Sequence, residues 1–256
     1  MGYVLGLVLV LVSFATALPK IDKGTYKLPE YMKFCKRSDP SMDKCLKDTI
    51  QYLIPKFSNG APEFRLPSLD PMYLSDLRMD YDDGSVSASI LIKNMRFDGI
   101  SNLTVVDVRT SFEEDGKLAI DVDAFFPTVF TEGTAKIVGK LWELNVATAP
   151  KYNVTMGGIS TTWMIRGEIE ERDGREYLKV VSFDMKPLVA AMYINVSPLF
   201  PKSESMSKFA EGVINNMWPE IYEALLPAAR SNWDKIMTQL ANAIFQKVPL
   251  DVLLPA

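Results

Sequence analysis

Between Ser203 and Val248 apolar side chains recur every three or four positions: Met206, Phe209, Val213, Met217, Ile221, Leu225, Trp233, Ile236, Leu240, Ile244 and Val248. That period is the mark of an amphipathic helix, and Glu204, Lys208, Glu211, Asn215, Glu220, Asp234, Lys235 and Gln239 fall largely between the apolar positions. Ser203 or Ser205, just after Pro201, can cap its start by accepting from a free backbone N–H. At about 1.5 Å of rise per residue, such a span exceeds the width of a small domain, so it sets the long axis of whatever packs on it. Pro219 and Pro227 each remove a backbone donor and crowd the preceding turn. The expectation is therefore either one long helix kinked twice or two helices sharing an apolar stripe.

The chain before this stretch is written in a different period. Leu46, Ile50, Leu53 and Ile54 suggest a short helix ended by Pro55 and the loop Ser58-Asn59-Gly60-Ala61-Pro62. From Tyr73 the period becomes two: Tyr73, Leu77, Met79 and Tyr81 alternate with Asp76, Arg78 and Asp80. Asp82-Asp83-Gly84 signals a hairpin turn, and Val86, Ala88, Ile90 and Ile92 form one face of the returning strand. The pattern repeats with Thr104 to Phe112, a turn at Glu113-Glu114-Asp115-Gly116, and Leu118, Ile120, Val122, Ala124 and Phe126. Ala135 to Leu141 adds a longer strand, Trp163, Ile165 and Ile169 lead to a turn at Arg172-Asp173-Gly174, and Val181, Phe183 and Met185 return. Val189 to Val196 adds one more strand. Hairpins of this kind predict a meandering antiparallel sheet. Glycines inside the strands, at Gly133, Gly139, Gly157 and Gly158, mark the bulges or bends that a strongly curved sheet requires. The predicted class is α+β: a curved antiparallel sheet rolled around a long C-terminal helix, with unfilled space along the axis.

Met1 to Ala17 carries no charged side chain and ends in Ala15-Thr16-Ala17, the small-x-small pattern of a signal-peptidase site. Its apolar run is too short to span a bilayer comfortably. The expectation is a secretory signal at residues 1–17, cleaved after Ala17, and a single exported domain over residues 18–256, with no stable membrane insertion. The formal net charge of −4 argues against nucleic acid as a partner, because phosphate binding needs a concentrated basic face. Histidine is absent altogether, which excludes Ser-His-Asp and Cys-His catalysis and any zinc site built on imidazole. No metal site and no cofactor fingerprint is found. The nearest approach to a GxSxG nucleophile elbow, Gly158-Ile159-Ser160-Thr161, lacks its last glycine. Asp121 with Asp123, and Glu168 with Glu170, share strand faces and read as a solvated outer surface.

The two cysteines, Cys35 and Cys45, form an isolated close pair, which in an exported chain reads as a structural disulfide. Closing so small a loop contributes roughly 2–3 kcal/mol. Asn102-Leu103-Thr104, Asn153-Val154-Thr155 and Asn195-Val196-Ser197 are glycosylation sequons, the third followed by Pro198.

Several short segments, in this order, resemble the insect takeout and juvenile-hormone-binding protein family. They are Cys35…Cys45-Leu46, Gly60-Ala61-Pro62-Glu63-Phe64 with Leu69-Asp70-Pro71, and Phe97-Asp98-Gly99-Ile100. Gly116…Leu118 with Pro127 and Gly133 is similar to the family's middle strands. Ser197-Pro198-Leu199-Phe200, Phe209, Val213-Ile214-Asn215-Asn216 and Trp218-Pro219 are similar to its closing helix. The resemblance implies a secreted carrier with a long helix wrapped by a curved sheet, akin in shape to tubular lipid-binding proteins, around an elongated apolar cavity. Two residues after Gly133, where many members carry Tyr, this chain has Ala135, which removes one possible donor to an oxygen-bearing ligand.

The expected function is non-enzymatic carriage of a small hydrophobic ligand (a terpenoid hormone, a fatty acid or a similar lipid) by a monomer. Candidate ligand-contacting residues are Phe126, Phe130, Trp142, Trp163, Met164, Phe183, Met217, Trp218, Ile221, Leu225 and Trp233. A lipid-ester hydrolase would need an activated nucleophile without histidine as its base. The other alternative is an extracellular interaction or signalling module whose cavity has collapsed; the thirteen methionines suit adaptable cavity walls and a plastic core alike.

Overall fold

The computed structural model describes residues 29–82, 86–113, 115–141 and 144–255. The expected leader, the turn at Asp83-Gly84, Glu114 and Trp142 lie outside the described residues. Eight strands form one antiparallel sheet: β1 (Met72–Leu74), β2 (Leu77–Asp82), β3 (Val86–Asp98), β4 (Thr104–Phe112), β5 (Lys117–Leu141), β6 (Leu144–Thr148), β7 (Lys151–Arg172) and β8 (Arg175–Ser197). The sheet path runs β1-β3-β5-β7-β8, with β2 on β3 and with β4 and β6 on β5. Because β5, β7 and β8 hold 25, 22 and 23 residues, each does the work of two ordinary strands. The segment Val189 to Val196 is the second half of β8, continuous with its first. The β7–β8 hairpin closes through Asp173 (φ 53°) and Gly174 (φ 75°), the left-handed pair that an Asp-Gly turn supplies.

Strands this long stay on one core only by bending, and the bend is built into three neighbours at one level. Buried or inward positions run Val122, Ala124, Phe126 and then Val129, Thr131 on β5. On β7 they run Tyr152, Val154, Met156 and then Ile159, Thr161, Trp163; on β8, Met185, Pro187, Val189 and then Met192, Ile194. At this level each strand takes a three-residue step, and register survives because Phe126 still faces Ile159 and Ile159 still faces Val189. The residues inside the step are Pro127-Thr128, Gly157-Gly158 and Ala190-Ala191, all but Thr128 small or without an N–H. Gly158 sits at φ 61°, a conformation that costs glycine little.

The first turn of helix α1 (Met42–Lys56) closes the disulfide loop; Cys35 and Cys45 are bonded, with Cα atoms 5.7 Å apart. The C-terminal stripe is two helices, α2 (Glu204–Asn216) and α3 (Trp218–Phe245), with the short α4 (Leu250–Leu253) after them. Ser203 caps α2 by accepting from the Met206 amide at 3.3 Å. The break falls at Met217, and Pro219 stands in the first turn of α3, where its missing N–H costs no hydrogen bond. Pro227 lies inside α3 without ending it, so only one of the two expected interruptions separates helices.

Helix α3 closes the roll by joining its two edges. On the β8 edge, Asn242 accepts from the Val180 amide at 2.9 Å and donates to its carbonyl at 2.8 Å. Asp234 accepts from the Phe183 amide at 2.5 Å, and Asn215 of α2 brackets Ile194 in the same way as Asn242 brackets Val180. On the opposite edge, Asn232 donates to the Arg78 carbonyl of β2 at 3.0 Å. These side chains satisfy strand-edge groups that would otherwise invite another strand. The largest packed cluster, with Leu103, Val108, Val122, Phe126, Trp163 and Trp233, lies along the sheet, and two more fill one end of the roll: Cys35, Met42, Leu118, Leu178, Val180, Leu250 and Leu254 form one, and Phe57, Ala61, Phe64, Leu66 and Val248 the other.

Candidate functional site: an apolar cavity under helix α3

Toward the other end the roll is hollow. A cavity of about 320 Å³ lies between α3 and the concave face of the sheet. Its helical wall is Ile221, Tyr222, Leu225, Leu226, Ala229, Asn232, Trp233 and Ile236. The floor comes from Phe126, Val129 and Thr131 of β5, from Tyr152, Val154, Met156, Ile159, Thr161 and Trp163 of β7, and from Met185, Pro187, Met192 and Ile194 of β8. Leu74, Leu77, Met79, Ile92, Met95 and Phe97 complete it from β1, β2 and β3. Among the described residues, none that lines the cavity carries a formal charge. The deep end is fixed by aromatic contacts: Trp163 lies 6.1 Å from Phe126 and 5.7 Å from Phe183, and Trp233 lies 6.2 Å from Phe97.

Of the residues expected to line a ligand site, Phe126, Trp163, Ile221, Leu225 and Trp233 meet in this cavity. Five others are placed elsewhere, each for a geometric reason. Phe130 shares the parity of Phe126 but lies beyond the three-residue step, so it falls on the other face from Val129 and Thr131. Met164 neighbours Trp163 in an extended strand, and adjacent strand residues point to opposite faces. Met217 occupies the helix break and is exposed, and Trp218 stands one contact back, its ring 6.5 Å from Tyr222. Phe183 is buried behind Trp163 as core rather than wall. Ala135 is buried in the sheet, bonded to Pro150 and absent from the cavity wall. A phenol reaches the cavity instead from Tyr152, whose ring lies across the bare backbone of Gly133 on the neighbouring strand. Burial pushes the Tyr152 phenol up to about 12, so it stays a neutral donor at physiological pH.

A second, polar pocket of about 490 Å³ shares Tyr152 with the first and is lined by Arg96, Glu132, Lys151, Asn153 and Asn195, among others. Arg96 is tied to Asp98 at 2.7 Å and to Glu132 at 3.2 Å. Asn153 and Asn195 are direct cross-strand partners there, whereas Asn102 is exposed on a separate turn. Among the described residues no helix is long and apolar enough to cross a membrane, and no three metal-ligating side chains cluster.

The sequence model of haemolymph juvenile hormone binding protein (JHBP) matches residues 7–255. The circadian clock-controlled protein daywake of Drosophila melanogaster is 22% identical over 230 residues, covering 87% of this chain and 86% of its own. The crystal structure of Epiphyas postvittana Takeout 1 superposes with a TM-score of 0.71 at 16% identity, over 87% of this chain and 99% of that one. That likeness establishes the fold, a large curved antiparallel sheet with a few helices. With a family model spanning nearly its whole length, this chain belongs to the haemolymph juvenile hormone binding protein family.

Proposed function

We propose that this protein is a secreted, non-enzymatic carrier that encloses a small hydrophobic molecule between α3 and the sheet. The observation that carries this reading is the cavity itself: about 320 Å³ with no charged residue in its wall. That volume lies at the lower end of the roughly 300–1,000 Å³ typical of small-molecule sites. Enclosing about 400 Å² of ligand surface at roughly 25 cal/mol per Å² yields on the order of 10 kcal/mol before costs. Lost translational and rotational freedom offsets several of those, which leaves micromolar affinity or better. The family membership and the relatives' names support the same reading, and the short apolar leader supports export. A hydrolase gains nothing from the geometry, since the cavity wall offers hydroxyls with no base beside them.

The test is to purify the secreted protein, extract it with organic solvent, and identify co-purified lipid by mass spectrometry. The delipidated protein is then titrated with Nile red. Stoichiometric lipid or saturable, blue-shifted Nile red fluorescence is expected; neither, on folded protein, would refute the carrier reading.

A further inference from the structure

Four buried side-chain atoms have no hydrogen-bond partner among the described residues: Asp98 Oδ2, Tyr152 Oη, Thr161 Oγ1 and Trp233 Nε1. Three of the four line the apolar cavity. Thr161 and Trp233 are only 6% and 8% exposed, so neither finds a partner by turning outward. Native interiors rarely leave such groups unpaired, and where they do the group usually has a use. The other polar side chains of α3 at this wall are engaged: Asn232 donates to the carbonyls of Arg78 and Ala228, and Tyr222 lies 3.5 Å from the Pro187 carbonyl.

From this we infer that Thr161 and Trp233 are the polar anchors of the cavity, and that they select a ligand bearing a neutral acceptor oxygen, such as an ester, ketone or ether. The inference rests on the carrier reading and narrows its ligand. An indole N–H can donate but never accept, so Trp233 fixes the sign of the partner: it must be an acceptor. Thr161 can donate to the same kind of group through its hydroxyl. Tyr152 is a third donor nine residues back along β7, beyond the bend and beside the polar pocket. A saturated hydrocarbon leaves all three donors buried and unpaired. A carboxylate fails for the opposite reason, because no Lys or Arg lines the cavity to offset its desolvation. A single water is poorly held at Thr161, whose nearest cavity neighbours along the strand are Ile159 and Trp163 and which offers one polar contact where a buried water needs two to four.

The experiment compares methyl palmitate with hexadecane and with ionised palmitate as displacers of Nile red from delipidated protein. Wild type should prefer the ester over the hydrocarbon by about tenfold, equivalent to about 1.4 kcal/mol at 25 °C. Thr161→Val keeps the side chain's shape and removes the hydroxyl. It should weaken the ester several-fold and leave hexadecane unchanged, while Thr161→Ser restores the preference. Trp233→Phe should act in the same direction, with its fold checked by circular dichroism. Equal displacement by ester and hydrocarbon, or unchanged ester affinity in Thr161→Val while Nile red still binds, would overturn the anchors and leave the carrier standing. Failure of wild type to bind Nile red at all would remove the carrier reading and the anchors with it.

Discussion

Enlarging Leu225 tests whether the space under α3 is real. Leu225 lies one turn from Ile221 on the helical wall, with only partial burial, because its side chain faces the cavity rather than packed atoms. Leu225→Trp adds a ring directed into about 320 Å³ of empty volume. In a filled core such an insertion forces neighbours off their rotamers and costs typically about 1–3 kcal/mol. For a domain of this size each kcal/mol lowers the melting temperature by roughly 2–4 °C, so overpacking would appear as a drop of about 2–12 °C. With the cavity present, the ring replaces void by contact, and the delipidated variant should melt within about 2 °C of wild type or slightly above it, in keeping with the gain from filling a void. Nile red titration and differential scanning calorimetry on both proteins give the two readouts. Loss of at least tenfold in probe affinity with an unchanged melting temperature is expected. Unchanged probe affinity, or a fall of several degrees, would refute a cavity at this position.

Gly139→Ala should be far more damaging than its size suggests, because a Cβ there would sit 2.0 Å from the Ser87 carbonyl oxygen across the β3–β5 ladder; a thermal melt within a degree of wild type would contradict this. Asp70 accepts from the Gly99 amide at 2.9 Å, from the Ser101 amide at 2.8 Å and from the Ser101 hydroxyl. Burial raises its pKa, but those hydrogen bonds and the Arg96 charge outweigh it, so the carboxyl is held below the usual carboxylate range. A depressed folded-state pKa means its stabilisation is complete above the unfolded-state value and is lost as pH falls through the folded-state value. Asp70→Asn should therefore flatten the acid limb of the stability–pH curve, and a parallel acid limb would speak against this account. Glycan is expected on Asn102, on Asn153 or on both in the natively secreted protein; an unchanged mass after glycosidase digestion would exclude it.

Much of this architecture is local and therefore legible residue by residue. The two-residue alternation, the Asp173-Gly174 turn, the 3.6-residue stripe and the capping Ser203 all act through near neighbours, and these features appear where their patterns lie, although Ala135 to Leu141 runs on as part of β5 and the Tyr73 to Tyr81 run divides into β1 and β2. The close cysteine pair was equally local, and it is bonded. Met164 was also decidable in principle, since two adjacent strand residues cannot both face inward.

What only the tertiary structure decided is which face each half of a long strand presents. The step at Pro127, Gly158 and Ala190 exchanges inside for outside along β5, β7 and β8 together, so a parity that holds for Phe126 does not carry on to Phe130. Glycines and a proline signal that a strand bends, but not whether the bend takes two residues or three. The edge-sealing roles of Asn215, Asp234 and Asn242 had no sequence signal beyond polarity, because their partners are backbone groups 21 to 62 residues away. Thr161, Tyr152 and the indole nitrogen of Trp233 became notable only once their surroundings were known. A hydroxyl is ordinary in a sequence; its lack of a partner is a property of everything folded around it, and that is why the cavity's chemistry had to be read from the assembled roll.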